Sequence, residues 1–160
     1  MPELNRKTIE ALNKISYGIY IITSRRDGKV NGQCANAVFQ VTSSPRRVAI
    51  GINKRNYTHE FIKESGVFAI NILGQDQIHV AKHFGLQCGR DVEKFANIKF
   101  QTKKTGSPIL PRALAYLDCK VIPSLTVDVG THTIFVADVL EGDVLKEGEP
   151  LTYGFYRKNR

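Results

Sequence analysis

The apolar residues of this chain come in short β-branched and aromatic runs cut by tight turns, and that pattern commits it to sheet. The clearest case is Gly18-Ile19-Tyr20-Ile21-Ile22-Thr23, followed at once by Arg26-Asp27-Gly28-Lys29. The first run suits a strand buried on both faces. Asp-Gly tolerates the positive φ of a primed turn, so the chain should return antiparallel over residues 30–39, with Pro45 as its end. Further strands are expected at Val48-Ala49-Ile50-Gly51-Ile52, at 67–73, at 133–140 and at 151–156. In 113–122, Ala115, Leu117, Cys119 and Val121 alternate with Leu114, Tyr116, Asp118 and Lys120, which predicts a half-buried strand.

Helix signals are few and short. Asn5 caps an opening helix with Ile9, Leu12 and Ile15 on one face. Thr58 reads as the cap of a second, stopped by Gly66, and Asp76 as the cap of a third that runs through Ala81 and Phe84. Many short strands with few short helices indicate a mainly β fold, a closed or nearly closed antiparallel barrel. The strands do not alternate with long helices, which argues against a doubly wound parallel sheet. A length of 160 residues favours one domain, 1–160. No repeat or low-complexity tract divides it.

Hydrophobic residues at 42% and charged residues at 24% exclude a disordered or fibrous chain. No apolar run reaches the roughly 18 residues of a membrane helix. The opening Met1-Pro2-Glu3-Leu4-Asn5-Arg6-Lys7 shows no secretory pattern, so a cytoplasmic location is expected. Three cysteines without C-x-x-C spacing speak against a disulfide framework or structural zinc. With 23 lysines and arginines against 15 acids, the net charge is +8 and an anionic partner is favoured. The basic residues come as scattered pairs, without a basic, aromatic-interleaved strand. A nucleic-acid-binding barrel is therefore set aside as a rival reading.

Motifs for a Rossmann site, a phosphate loop, a nucleophile elbow and a zinc protease are all missing. His79 and His83, four apart on a helix, lack a third ligand and read as surface histidines, so no metal is expected. Asp118 and Asp138 are explained as well by strand-edge solvation as by a paired-carboxylate site. The informative stretch is Val30-Asn31-Gly32-Gln33-Cys34-Ala35-Asn36-Ala37-Val38-Phe39-Gln40-Val41-Thr42-Ser43-Ser44-Pro45. Its small residues let a planar ligand approach the backbone, and its amides can read a ring edge that carries donors and acceptors. Cys34 has no histidine near it in sequence and reads as a lining residue rather than a nucleophile. Asn53-Lys54-Arg55-Asn56-Tyr57-Thr58 is a basic loop that enters a helix N-terminus, a favourable place for phosphate.

In this order, these stretches resemble the flavin-reductase-like, FMN-binding split-barrel family, especially the FMN domain of high-molecular-weight rubredoxins and the flavoredoxins. Further carriers are Ser65-Gly66-x-Phe68-Ala69, Phe84-Gly85, Gly89-Arg90-Asp91 with Lys94-Phe95, and Gly130-Thr131-His132-Thr133-Ile134-Phe135-Val136. The resemblance implies an antiparallel Greek-key split barrel. It implies an oxidoreductase that takes hydride from NADH or NADPH and passes electrons to a flavin or a small redox protein such as rubredoxin. The alternative is a flavin-binding electron carrier without pyridine-nucleotide turnover. By resemblance, Gln33, Cys34, Ala35 and Asn36 with Val41, Thr42 and Ser43 hold the flavin ring and ribityl chain. Asn53, Lys54 and Thr58 lie near the phosphate of FMN, which is favoured over FAD. His132 would serve the nicotinamide, in a turn where Thr131 replaces the family's aspartate. A homodimer is implied as well.

Overall fold

A computed structural model describes residues 5–160. The N-terminal stretch read as lacking a secretory pattern thus lies partly outside the described residues. A short helix α1 (Arg6–Leu12) precedes the strands β1 (Tyr20–Arg26), β2 (Lys29–Ala35), β3 (Val38–Ser43) and β4 (Arg46–Asn53). Then follow α2 (Tyr57–Ser65), β5 (Val67–Ile72), α3 (Ile78–Gly85), β6 (Ala115–Val121), the two-residue β7 (Val127–Asp128), β8 (His132–Val144) and α4 (Tyr153–Asn159).

All pairings are antiparallel, and the strands run in the order β2-β1-β5-β6-β8-β4-β3, with β7 added on β8. The first and last strands of that path are consecutive in the chain, joined only by Asn36-Ala37. Three Cα steps span roughly 10 Å at most, so the sheet must curl until its ends meet. The ladder does not close between β2 and β3, and the barrel is split at this corner. There the Ala37 carbonyl accepts from Gly51 N–H at 2.8 Å.

The Asp27-Gly28 turn forms as expected, with φ of 48° and 77° at its two residues. β1 is buried on both faces. Ile22 points into a core with Ile50, Ile52, Phe68, Ile70 and Phe135. Ile21 points into a second core with Leu73, Ala81, Phe84, Phe95, Leu110 and Leu151. That second layer, set under α3, fixes the end of α3 beside β2.

Several expectations are corrected. The return of 30–39 is two strands, because the corner at Asn36-Ala37 swaps pairing from β1 to β4. Asn56, not Thr58, is the cap of α2, and Thr58 sits inside its first turn. Gly66 does end that helix, with φ 71°. Asp76 lies in a short 3₁₀ turn stapled by the Gln77 side chain on Gly74 N–H at 2.9 Å, and α3 starts at Ile78. β6 is buried on both faces, with an irregular register between Asp118 and Cys119. Asp118 is not at a solvated edge. It is fully buried and accepts from Thr105 N–H at 2.9 Å and Thr105 Oγ1 at 2.6 Å. The closing strand at 151–156 is instead Leu151 paired with Leu73 and Ile19, followed by α4. Thr152, β-branched and so strand-like in sequence, accepts from Phe155 N–H and caps that helix.

Candidate functional site

A cleft of about 130 Å³ opens beside the split corner. Its floor is β2, through Asn31, Gln33 and Cys34; one wall is the loop and first turn of α2, from Arg55 to Thr58. The other wall is the end of α3 at Phe84 and Gly85, with Gln87, Cys88, Gly89 and Lys94 from the loop that follows. Glycines allow the closure. A Cβ on Gly89 would lie 2.2 Å from Asn31 Oδ1, and one on Gly85 would lie 3.0 Å from the Cys34 Cβ.

The first turn of α2 is held from several sides. Asn31 Nδ2 donates to Thr58 Oγ1 at 2.9 Å, which ties the helix to β2. His59 Nε2 meets Thr133 Oγ1 at 2.8 Å, which ties it to β8. Arg90 bonds Glu60 at 2.8 Å and lies over the Tyr57 ring, 4.9 Å from its centroid. Arg26 lies over Phe61 at 4.6 Å and pairs with Glu64 at 3.1 Å. The cap residue Asn56 makes no side-chain bond to the helix and its carbonyl accepts from the His59 amide at 3.1 Å, which leaves the Tyr57 and Thr58 amides for another acceptor.

The charge inside the cleft comes from Lys94, only 5% exposed. Its Nζ donates to the carbonyls of Gly32 and Phe84, each at 2.8 Å. Burial pulls its pKa below the ordinary lysine value, opposed by the thiols of Cys88 and Cys34. Burial pushes the Cys34 thiol up to about 11 despite Lys94, so it is protonated at neutral pH. Gln33 is 9% exposed, and its Oε1 is buried without a hydrogen-bond partner. An orphaned buried acceptor costs about 1–3 kcal/mol, which a ligand donor would remove. The cleft therefore fits a ligand with an anionic end and a hydrogen-bonding polar edge, as the flavin mononucleotide has.

The sequence-based candidates fall into three places. Gln33, Cys34 and Thr58 meet in the cleft. Ala35 and Asn36 form the adjacent corner, and Val41, Thr42 and Ser43 continue from it along β3. Val41 is exposed, and Thr42 Oγ1 donates to the Pro45 carbonyl. Asn53, Lys54 and His132 gather at the end of the β4–β8 ladder, with Asn53 directly opposite His132. Asn53 Oδ1 accepts from Arg55 N–H, and Lys54 Nζ pairs with Asp128 at 2.7 Å rather than lining the cleft. His132 Nδ1 is 2.8 Å from Thr131 Oγ1. His79 is exposed and His83 Nε2 bonds the Lys94 carbonyl at 2.7 Å; among the described residues no cluster could hold a metal. Sequence reasoning missed Asn31, Arg55, Cys88 and Lys94 as lining residues. Asn31 and Arg55 fall inside the two stretches that the sequence singles out and Lys94 inside the Lys94-Phe95 pair, whereas Cys88 carries no such signal.

A split antiparallel barrel with a polar, partly cationic cleft at its corner belongs to the class of small flavin-binding barrels. The chain belongs to the flavin reductase like domain family, whose model matches residues 12–160, and is a flavin reductase-like oxidoreductase. It is 43% identical over 150 residues to a ferric-chelate reductase (NAD(P)H) of Archaeoglobus fulgidus, covering 92% of this chain and 88% of that one. It is 42% identical over 151 residues to a high molecular weight rubredoxin of Moorella thermoacetica, covering 93% of this chain. The match spans only 65% of that relative's length. The solved structure of the flavin reductase PheA2 superposes with a TM-score of 0.79 at 31% identity, covering 93% of both chains. No helix among the described residues is long and apolar enough to cross a membrane.

Proposed function

We infer that the chain is an FMN-dependent NAD(P)H oxidoreductase. The observation that carries this reading is the convergence, in one cleft, of the uncapped first turn of α2, buried Lys94 and the unpartnered Gln33 carbonyl. When bound, the flavin supplies the two-electron chemistry, accepting hydride from a nicotinamide and releasing electrons to an acceptor. The protein's share is to bind and orient. Gln33 Oε1 accepts from a donor on the ligand edge, and the α2 amides face its anionic end. Cys34, held protonated, adds no negative charge beside the ring. Asn36 and the Val41–Ser43 segment extend the surface along the split.

His132 is assigned to the nicotinamide. A Thr131 hydroxyl that donates to Nδ1 leaves the ring proton on Nε2, free to donate to a carboxamide. Transfer of electrons to a small redox protein is supported by the similarity to the high molecular weight rubredoxin of Moorella thermoacetica. Exposed Phe39 and Val41, on the strand that ends the sheet, support pairing with a second copy. The free thiols Cys34, Cys88 and Cys119 fit a reducing cytoplasm.

The test is anaerobic stopped-flow mixing of FMN-loaded protein with NADH and NADPH. The flavin absorbance should bleach with one of them. In His132→Ala the rate should fall about tenfold or more, the effect of losing a positioning contact of about 1.4 kcal/mol, with FMN affinity little changed. A wild-type protein that binds FMN and never bleaches is an electron carrier, and the reductase reading fails.

A further inference from the structure

We propose that Lys54 and Asp128 are positioning residues, a strut that fixes the turn carrying His132 relative to the flavin cleft. The proposal rests on reading the cleft as a flavin site and His132 as the residue that serves the nicotinamide. Lys54 holds that turn twice. Its backbone N–H donates to the Thr131 carbonyl at 3.0 Å, and its Nζ meets Asp128 Oδ2 at 2.7 Å. The other Asp128 oxygen accepts from Gly130 N–H at 2.8 Å. Val129 N–H donates to the His132 carbonyl at 3.1 Å, across a turn in which Gly130 has φ 104°. Each residue from Asp128 to His132 is thus bonded within the turn or to Lys54.

The place of Lys54 in the chain gives the strut its function. Asn53, before it, lies directly opposite His132 in the β4–β8 ladder, and Arg55, after it, begins the wall of the cleft. One residue therefore joins the two half-sites. The turn has little other support. β7, which carries Asp128, is two exposed residues long and pairs only with β8 among the described residues. The Lys54 side chain does not line the cleft, so its charge is committed to Asp128 and not to a ligand there. The Lys54 ammonium, then the Gly130 amide, hold the Asp128 carboxyl below the ordinary carboxylate range, so the pair is charged at neutral pH. An exposed ion pair adds little to folding stability. A reacting group misplaced by about 1 Å can lose about a hundredfold in rate, so the effect of the strut falls on geometry.

Anaerobic stopped-flow reduction of the FMN-loaded protein tests this, with Lys54→Met, Asp128→Asn, their double variant and Lys54→Arg. Lys54→Met keeps the backbone bond to Thr131, and Asp128→Asn keeps an oxygen for Gly130, so each removes the ion pair alone. In both, the limiting rate of reduction by the nucleotide that bleaches wild type should fall about threefold or more, but no further than in His132→Ala. The double variant should be no slower than either single one, because the two residues act as a unit. Lys54→Met should add nothing to His132→Ala, since it acts through that residue. Lys54→Arg should recover most of the rate. Reduction by dithionite, which needs no positioned nicotinamide, should keep the wild-type rate in every variant, and so should the affinity for FMN. Wild-type rates in both single variants, additive losses, or an equal loss with dithionite would each overturn the strut and leave the flavin and nicotinamide readings standing. A loss of FMN affinity in Lys54→Met would return Lys54 to the flavin site and overturn it as well. If His132→Ala is reduced at the wild-type rate, the nicotinamide reading fails and the strut with it. If wild type never bleaches with either nucleotide, the reductase reading itself fails.

Discussion

His59 sits 8% exposed between the Thr133 hydroxyl and the Phe135 ring, with Lys63 and Lys54 near enough to repel a second positive charge. Burial, then those lysines, lower its pKa below the ordinary 6.5, and Glu60 only partly opposes them. The sign follows from linkage. A depressed base is protonated first in the unfolded chain, so acidification favours unfolding. Stability should therefore fall as pH drops below about 6.5 and level off once the folded-state pKa is passed. Urea titrations of wild type and His59→Gln between pH 7.5 and 5 should show a smaller pH dependence in the variant. Equal slopes would mean that His59 is no more buried in the folded chain than in the unfolded. None of this was legible in the sequence, where His59 is one polar residue at the start of a helix that a basic loop enters. Its burial comes from Thr133, 74 positions away.

At the scale of elements, local signals worked where the turn or cap chemistry was unambiguous. Asp27-Gly28 dictated its hairpin and Gly66 its helix stop, because only positive φ closes them. They failed where one residue type serves two purposes. Thr152 favours strands by its branched Cβ and helix starts by its hydroxyl, and the hydroxyl prevailed through Phe155 N–H. Thr152→Ala should cost about 1 kcal/mol, the usual worth of such a cap, and loosen α4 first. A urea midpoint unchanged from wild type would show that the packing of Tyr153 and Phe155 on the second core holds the helix without its cap. The alternation in β6 misled for a different reason. Residues on both of its faces are covered, one by the barrel core and the other by the 105–110 crossing, so polarity did not report exposure there.

For the molecule as a whole, the cleft joins parts of the chain that meet only on folding: β2, the start of α2 and the loop after α3. A ligand held by all three binds the folded state alone. FMN at a hundredfold excess over its Kd should then raise the unfolding free energy by about 2.7 kcal/mol, with hydrogen-exchange protection concentrated in residues 31–34, 55–58 and 85–94. Protection confined to β3 would mean that the flavin lies along the outer surface and not in the cleft.

By itself the sequence determined the run of short strands, the sharp hairpin, the scarcity of helix and a family resemblance that the matching family model bears out. These are local or collinear properties, carried by residue type and order. The tertiary structure alone decided that the 30–39 run breaks at Asn36-Ala37, so that the two ends of one sheet meet there and open a split. It also decided which lysine enters the cleft. The resemblance points to Lys54, beside the start of the helix, but Asp128 lies within reach and pairs with it. Lys94 arrives from the far side of α3, drawn to the carbonyls of Gly32 and Phe84, and no local pattern encodes a contact 62 residues away.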